Sequence, residues 1–393
     1  MSDVLYLAWR YLVFHRWKTL LLIASITLIA YLPVGLNVLV GRSAEELTAR
    51  AATTPLLVGS RGSPLELVLN SLYFDAEVPA PTSLAEVERI SATGLATPIP
   101  LHVRFRSRSA PIVGTSLEYF DFRALSIADG RPMAVLGECV LGSEAARDLG
   151  VAVGDAVISS PESVFDLAGV YPLRMRVVGV LERSFTPDDG AIFVDVKTAW
   201  VIEGLGHGHQ DLASPDAAAG VLSRDGNRVT ANASVAQYSE ITAENIDSFH
   251  FHGDPATYPL TAILIDPADD KSAVLLAGRY ASPDASQQIV RPRVVVEELL
   301  GTVFTVREYV VGAILLVAAA TVAMAALVFL LSLRLRRGEI LTLHRIGGSR
   351  GRVAAMVVSE ILLVIAASAT LAAGLTWATG RFGGEAVRAL LLS

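Results

Sequence analysis

A chain of 393 residues with a formal net charge of −7, 52% apolar residues and one cysteine excludes several classes of protein at once. Its acidic, lysine-poor balance argues against nucleic acid as a partner, and the single Cys139 rules out an internal disulfide. The three lysines follow Trp17, Val196 and Asp270, so no G-K-[ST] phosphate loop exists, and no H-E-x-x-H or G-x-S-x-G motif marks a protease or an esterase.

Residues 1–19 carry Arg10, Arg16 and Lys18 ahead of an uncharged apolar run over residues 20–40. At 1.5 Å per residue such a helix reaches about 32 Å, enough to cross a hydrocarbon core of about 30 Å. It is longer than the apolar core of a signal peptide, and no clean small-x-small cleavage site follows Val40, so it reads as an uncleaved anchor.

Residues 41–309 have the composition of a water-soluble domain of mixed α and β structure, large enough to be held by its own core. Gly59-Ser60-Arg61-Gly62-Ser63 has the look of a phosphate cradle, but Ser63-Pro64-Leu65-Glu66 explains the same residues as a capping box with proline at the first helical position. A second capping box is expected at Ser83-Leu84-Ala85-Glu86. Alternation in Val103-Arg104-Phe105-Arg106 and in Leu173-Arg174-Met175-Arg176-Val177 sends arginines to one face and apolar side chains to the other, as a half-buried strand does. Further strands are expected at 191–196 and 261–266, and a helix over 144–149 stops at Gly150. Residues 204–226, rich in Gly, Ser, Asp and Ala, read as a surface loop or a seam between lobes.

Two H-x-H pairs, His207 with His209 and His250 with His252, account for four of the seven histidines. On extended backbone each pair shares a face, so the two brought together would offer nitrogens to zinc or copper. Plain polar surface is the simpler reading of the same residues, and a metal-binding outer domain is the chemical alternative.

Residues 293–309 look helical and run straight into a second apolar stretch, 310–333, which makes them a candidate stalk between the outer domain and the membrane. A short segment, 334–352, separates this span from a third, 353–377, and residues 378–393 follow. The short segment holds Arg334, Arg336, Arg337, Arg345, Arg350 and Arg352 against Glu339 alone. By the positive-inside rule it lies in the cytoplasm with residues 1–19, which places 41–309 and the C-terminal tail outside. Charge divides the same way: residues 41–333 hold 35 acidic and 21 basic residues, a balance of −14, and the rest of the chain holds 4 acidic and 11 basic, a balance of +7. Glu360, the one ionisable residue within an apolar run, is expected to pair with Arg350 or Arg352.

Within the basic segment Ile340, Leu343 and Ile346 stand at i, i+3 and i+6 before Gly347-Gly348, which describes a short amphipathic helix with a glycine stop. Such a helix suits a membrane surface or the groove of a cytoplasmic partner.

The stretch R-R-G-E-I-L-T-L-H-R-I-G-G-S-R-G-R between two apolar spans resembles the signature loop of the FtsX-like ABC transporter permeases. The run Val140 to Ala146, with Leu149-Gly150-Val151, Val153-Gly154-Asp155 and Val177 to Leu181, is similar to the MacB-like periplasmic core, and Leu57 to Asn70 resembles a branch of the same group. The resemblance implies an α-helical membrane region of three spans with a large inserted α+β domain of the MacB-like periplasmic core type. It implies a non-catalytic permease subunit in a bacterial inner membrane. A separate cytoplasmic ATPase would bind ATP and Mg, and a second permease subunit would pair with the first as a homodimer or heterodimer. A periplasmic adaptor or substrate-binding protein is a further partner of that kind. Carried over by position, Glu339, Ile340, Leu343, Arg345, Ile346 and Gly347 would form the ATPase-coupling element. A non-transporting regulator of a periplasmic partner is the alternative within the same resemblance. The family has four spans where three are legible here, since Arg381, Glu385 and Arg388 interrupt the residues after Trp377.

Overall fold

A computed structural model describes residues 2–75, 77–160, 172–208, 221–225, 228–231, 239–282, 285–345 and 349–391. The chain forms two compact units, one from Met1–Leu47 with Glu298–Ser393 and the other from Thr48–Glu297.

The first unit is helical. Among the described residues, three helices are long and apolar enough to cross a membrane: Arg16–Ala52, Pro292–Leu335 and a stretch of Arg350–Leu391. Their apolar side chains are largely uncovered, as lipid-facing surfaces are. What fastens the first helix to the third is a set of small polar contacts. The Thr27 hydroxyl donates to the Ser368 carbonyl and the Ser368 hydroxyl to the Ile23 carbonyl, both at 3.3 Å, and Tyr31 and Thr379 share a hydrogen bond of 2.6 Å. Small hydroxyl residues let helix backbones approach closely where no hydrophobic drive exists between them. The first residues form a separate helix, Ser2–Phe14, and the third long helix runs on to Leu391, past the expected end of its span at 377. Arg381 and Glu385 do not stop it, because charge ends an apolar run without breaking backbone hydrogen bonds.

The second unit is built on a ten-stranded mixed sheet. Its order is Gln287–Val290, Leu56–Ser60, Ala262–Pro267, Ala96–Ser107, Ala110–Thr115, Ile192–Asp195, Glu138–Leu141, Arg174–Leu181 and Ile127–Gly130, with Ala156–Ile158 also paired to Arg174–Leu181. All pairs are antiparallel except Ala110–Thr115 with Ile192–Asp195 and Glu138–Leu141 with Arg174–Leu181. The alternating strand over Leu173 to Val177 behaves as its pattern dictates: Met175 and Val177 are buried and Arg174 and Arg176 exposed. One core cluster gathers around Cys139, Leu141, Met175, Val177 and Ile192, and a second around Leu56, Val58, Trp200, Ile263 and Ile265. Each fully buried side chain of this size is worth about 1.5–3 kcal/mol, which is how the domain stays folded with one cysteine. That residue is itself sealed in the core: the Cys139 thiol donates to the Arg176 carbonyl at 3.4 Å, and burial pushes its pKa well up.

Local signals fare unevenly. Ser63 caps the helix Pro64–Tyr73 by accepting from the Glu66 amide at 3.3 Å, and Gly150 takes the left-handed conformation after Ser143–Leu149. At the second expected capping box the Ser83 side chain makes no cap hydrogen bond, because Ser83 is held in a strand pair with Pro259. Glu86, instead of reaching back to it, is buried against Tyr280 and Arg89. The expected loop over 204–226 contains two strands, Gly206–Gly208 and Val221–Asp225; its glycines permit extended pairing as readily as they permit turns.

Candidate functional site

Three places on the molecule carry polar or charged groups in arrangements that packing alone does not require. The first is the short helix Arg337–Arg345, which sits between the second and third long helices. Glu339, Ile340, Leu343 and Arg345 all lie on it, while Ile346 and Gly347 lie outside the described residues. Ile340 is half-buried, and Leu341 and Arg345 are exposed, so the helix presents both apolar and cationic groups to its surroundings.

At the root of this helix Arg336 places Nη1 at 3.1 Å from both carboxylate oxygens of Glu360, and its guanidinium lies 3.5 Å from the centroid of the Tyr11 ring. Among the described side chains Glu360 therefore pairs with Arg336 instead of the expected Arg352, and the Arg350 side chain lies outside them. Eight residues along one helix amount to about 12 Å, too far for Arg352 to fold back, whereas Arg336 comes alongside from the turn between the second long helix and the short one. A carboxylate held by arginine and screened by an aromatic ring serves as a fixed brace.

The second place was invisible in the sequence. Arg50, in the last turn of the first long helix, is buried in the sheet domain together with Asp188 and Tyr119. Its Nη1 and Nη2 donate to the two Asp188 oxygens at 2.5 and 2.8 Å, its Nε donates to the Leu72 carbonyl at 2.7 Å, and Nη2 also reaches the Tyr119 hydroxyl at 3.0 Å. Tyr119 in turn donates to Asp188 at 2.7 Å, and Thr186 donates to the other Asp188 oxygen at 2.9 Å. Burial works to raise the Asp188 pKa, but the Arg50 charge and the hydrogen bonds from Arg50 and Tyr119 outweigh it and hold the carboxyl below its usual range. Tyr119 is shifted upward, first by burial and then by Asp188, and so stays a neutral donor.

Close approach makes this geometry possible. A Cβ on Gly142 would fall 2.2 Å from the Asp188 carbonyl oxygen and 2.4 Å from that of Asp189, so glycine there lets the turn Pro187–Gly190 settle against the strand Glu138–Leu141. Arg50, Tyr119 and Asp188 are closed to solvent, and their hydrogen bonds clamp the last turn of the helix to the domain. The only sequence signal was an arginine among alanines, Ala49-Arg50-Ala51-Ala52, and its partner stands 138 positions away.

The third place is a cluster of histidines. His207, His250 and His252 lie together with their ligand nitrogens within 4.8 Å of one another, and His209 lies outside the described residues. Separately, a cavity of about 300 Å³ is lined by Arg89, Arg279, Tyr280 and Gln287.

A family model described as the MacB-like periplasmic core domain matches residues 23–238. Among solved structures, the periplasmic region of MacB from Actinobacillus actinomycetemcomitans is 12% identical, with a TM-score of 0.34, covering 63% of this chain and 92% of that one. The extracellular domain of the noncanonic ABC-type transporter YknZ from Gram-positive bacteria is also 12% identical, with a TM-score of 0.32, covering 60% of this chain and 98% of that one. No curated protein matches the chain at the similarity required.

Proposed function

Because the chain belongs to the family of the MacB-like periplasmic core domain, we propose that it is the permease subunit of an ABC transporter, driven by a separate cytoplasmic ATPase and working on a substrate in the periplasm or the outer leaflet. The observation that carries this reading is the family match over residues 23–238, which runs from within the first long apolar helix into the sheet domain. A short basic helix between the other two long helices supplies the complementary part.

In this reading Arg337–Arg345 docks on the ATPase, which holds the ATP and Mg. Glu339 and Arg345 supply charge, and Ile340, Leu343 and Ile346 supply the apolar contact. The Arg336–Glu360 brace ties the docking helix to the third span, so a push on the helix is not lost in a slack loop. Pro292–Leu335, about 66 Å long at 1.5 Å per residue, is twice the thickness of the hydrocarbon core and carries the stroke outward. Arg50 and Asp188 make the end of the first helix a firm attachment on the outer domain. A second permease subunit completes the pair, in a bacterial inner membrane with the sheet domain in the periplasm.

The test is replacement of Leu343 by Asp in the tagged full chain. The variant is expected to insert in the membrane at wild-type level and to lose a copurifying ATPase; an unchanged complex sinks the assignment of this helix as the dock.

A further inference from the structure

We propose that His207, His250 and His252 form a binding site for one borderline divalent transition-metal ion, Zn²⁺ foremost, on the outer domain. The proposal is independent of the permease reading and rests on how the sheet register builds the cluster.

Gly206–Gly208 pairs antiparallel with Phe249–Phe251, in the register Gly206 with Phe251, His207 with His250 and Gly208 with Phe249. Side chains alternate along a strand, so the glycines and phenylalanines share one face of this ribbon and His207 and His250 share the other. His252 is the next residue on the histidine face, and its amide donates to the Leu205 carbonyl at 3.0 Å, which prolongs the ladder to include it. The glycine pattern is required by the opposite face. A Cβ on Gly206 would lie 2.6 Å from the Phe251 ring, and one on Gly208 would lie 2.5 Å from the Phe249 ring. The two phenylalanines pack against the buried core, which fixes the ribbon and turns its histidine face outward.

The three rings form a nearly equilateral triangle, with centroids 4.9 Å apart for His207 and His250 and 4.8 Å for each of the other pairs. A tetrahedral ion with metal–nitrogen bonds of about 2.0–2.1 Å needs nitrogens about 3.3 Å apart, a closure that small ring rotations supply. His250 Nδ1 lies 3.0 Å from the Ser248 carbonyl. Donation from Nδ1 to that oxygen leaves the Nε2 lone pair for a metal, the arrangement in which an outer-shell carbonyl sets the tautomer of a ligating histidine. His207 is half-buried while His250 and His252 are exposed, so an ion can reach the triangle from solvent. An all-imidazole set disfavours Mg²⁺ and Ca²⁺, which take oxygen, and suits Zn²⁺, Cu²⁺ or Ni²⁺.

The test uses the full chain in detergent, with any affinity tag removed and the protein stripped of metal by chelator, titrated calorimetrically with ZnCl₂. One Zn²⁺ per chain is expected, with a Kd of about 10 µM or tighter. His250→Ala and His252→Ala should each weaken binding at least about tenfold, and the triple alanine variant should abolish it. Both exposed rings are dispensable for packing, so the variants are expected to keep the wild-type unfolding temperature in chelator. That control separates loss of a ligand from loss of the fold. Absence of saturable binding in the wild-type chain overturns the proposal, and so does equal affinity in the triple variant.

Discussion

Replacing Asp188 by Asn leaves the shape of the buried network intact and removes its negative charge. Arg50 then remains almost fully buried, with side-chain exposure of 5%, opposite a neutral amide that cannot accept both of its donors as the carboxylate does. Removing one partner of a buried ion pair costs about 3–5 kcal/mol, because the remaining charge is left uncompensated in a medium that solvates it poorly. In a domain of this size each kcal/mol lowers Tm by about 2–4 °C, so a fall of about 6–20 °C is expected. Scanning calorimetry of the full chain in detergent, compared between wild type and variant, reads the fall in the transition of the sheet unit. The pH dependence gives a second readout. The Asp188 pKa is depressed in the folded state, so its contribution is present above the unfolded value of about 3.9 and is lost as pH falls through the folded value. Asp188→Asn should lack that part of the acid sensitivity. Replacing both partners, as Arg50→Met with Asp188→Leu, should recover part of the loss. A single variant within about 0.5 kcal/mol of wild type, or one with the wild-type acid profile, would refute the role assigned to the pair.

Two further outcomes follow from packing. Gly142→Ala drives a methyl group onto the carbonyls of Asp188 and Asp189 and should destabilise the domain by about 1–3 kcal/mol or more, read by thermal unfolding; an unchanged Tm contradicts the close approach. Cys139, buried and with its thiol pKa raised, should resist a thiol reagent in the native chain and react fully in denaturant, and fast native labelling would show that the core opens.

The sequence was most informative where a property is periodic or local. Runs of uncharged apolar residues announce the long helices, because nothing else in a chain stays apolar all round for so long. Alternation announces the strand through Met175 and Val177, and the serine–proline–glutamate spacing announces the cap at Ser63. Contacts between distant residues were out of reach. The Arg50 clamp joins positions 50, 72, 119 and 188, and no local pattern links them. Glu360 was legible as a residue in need of a partner, but the partner depends on which helix lies alongside it, a fact of tertiary packing. The histidine pairs stood out by spacing, yet only the register between Gly206–Gly208 and Phe249–Phe251 turns two separate motifs into one triangle. Ser83 shows the opposite limit, a local signal overruled by a strand pair.

Coupling to a separate ATPase is decided by what accompanies the chain out of the membrane. Extraction of the wild-type and Leu343→Asp chains in mild detergent, followed by measurement of ATP hydrolysis and of the bound subunits, sets the two possibilities apart. A permease coupled through Arg337–Arg345 brings down an ABC ATPase and its ATP hydrolysis, and loses both in the variant. Recovery of the wild-type chain with no ATPase, or with one that survives the substitution, contradicts it.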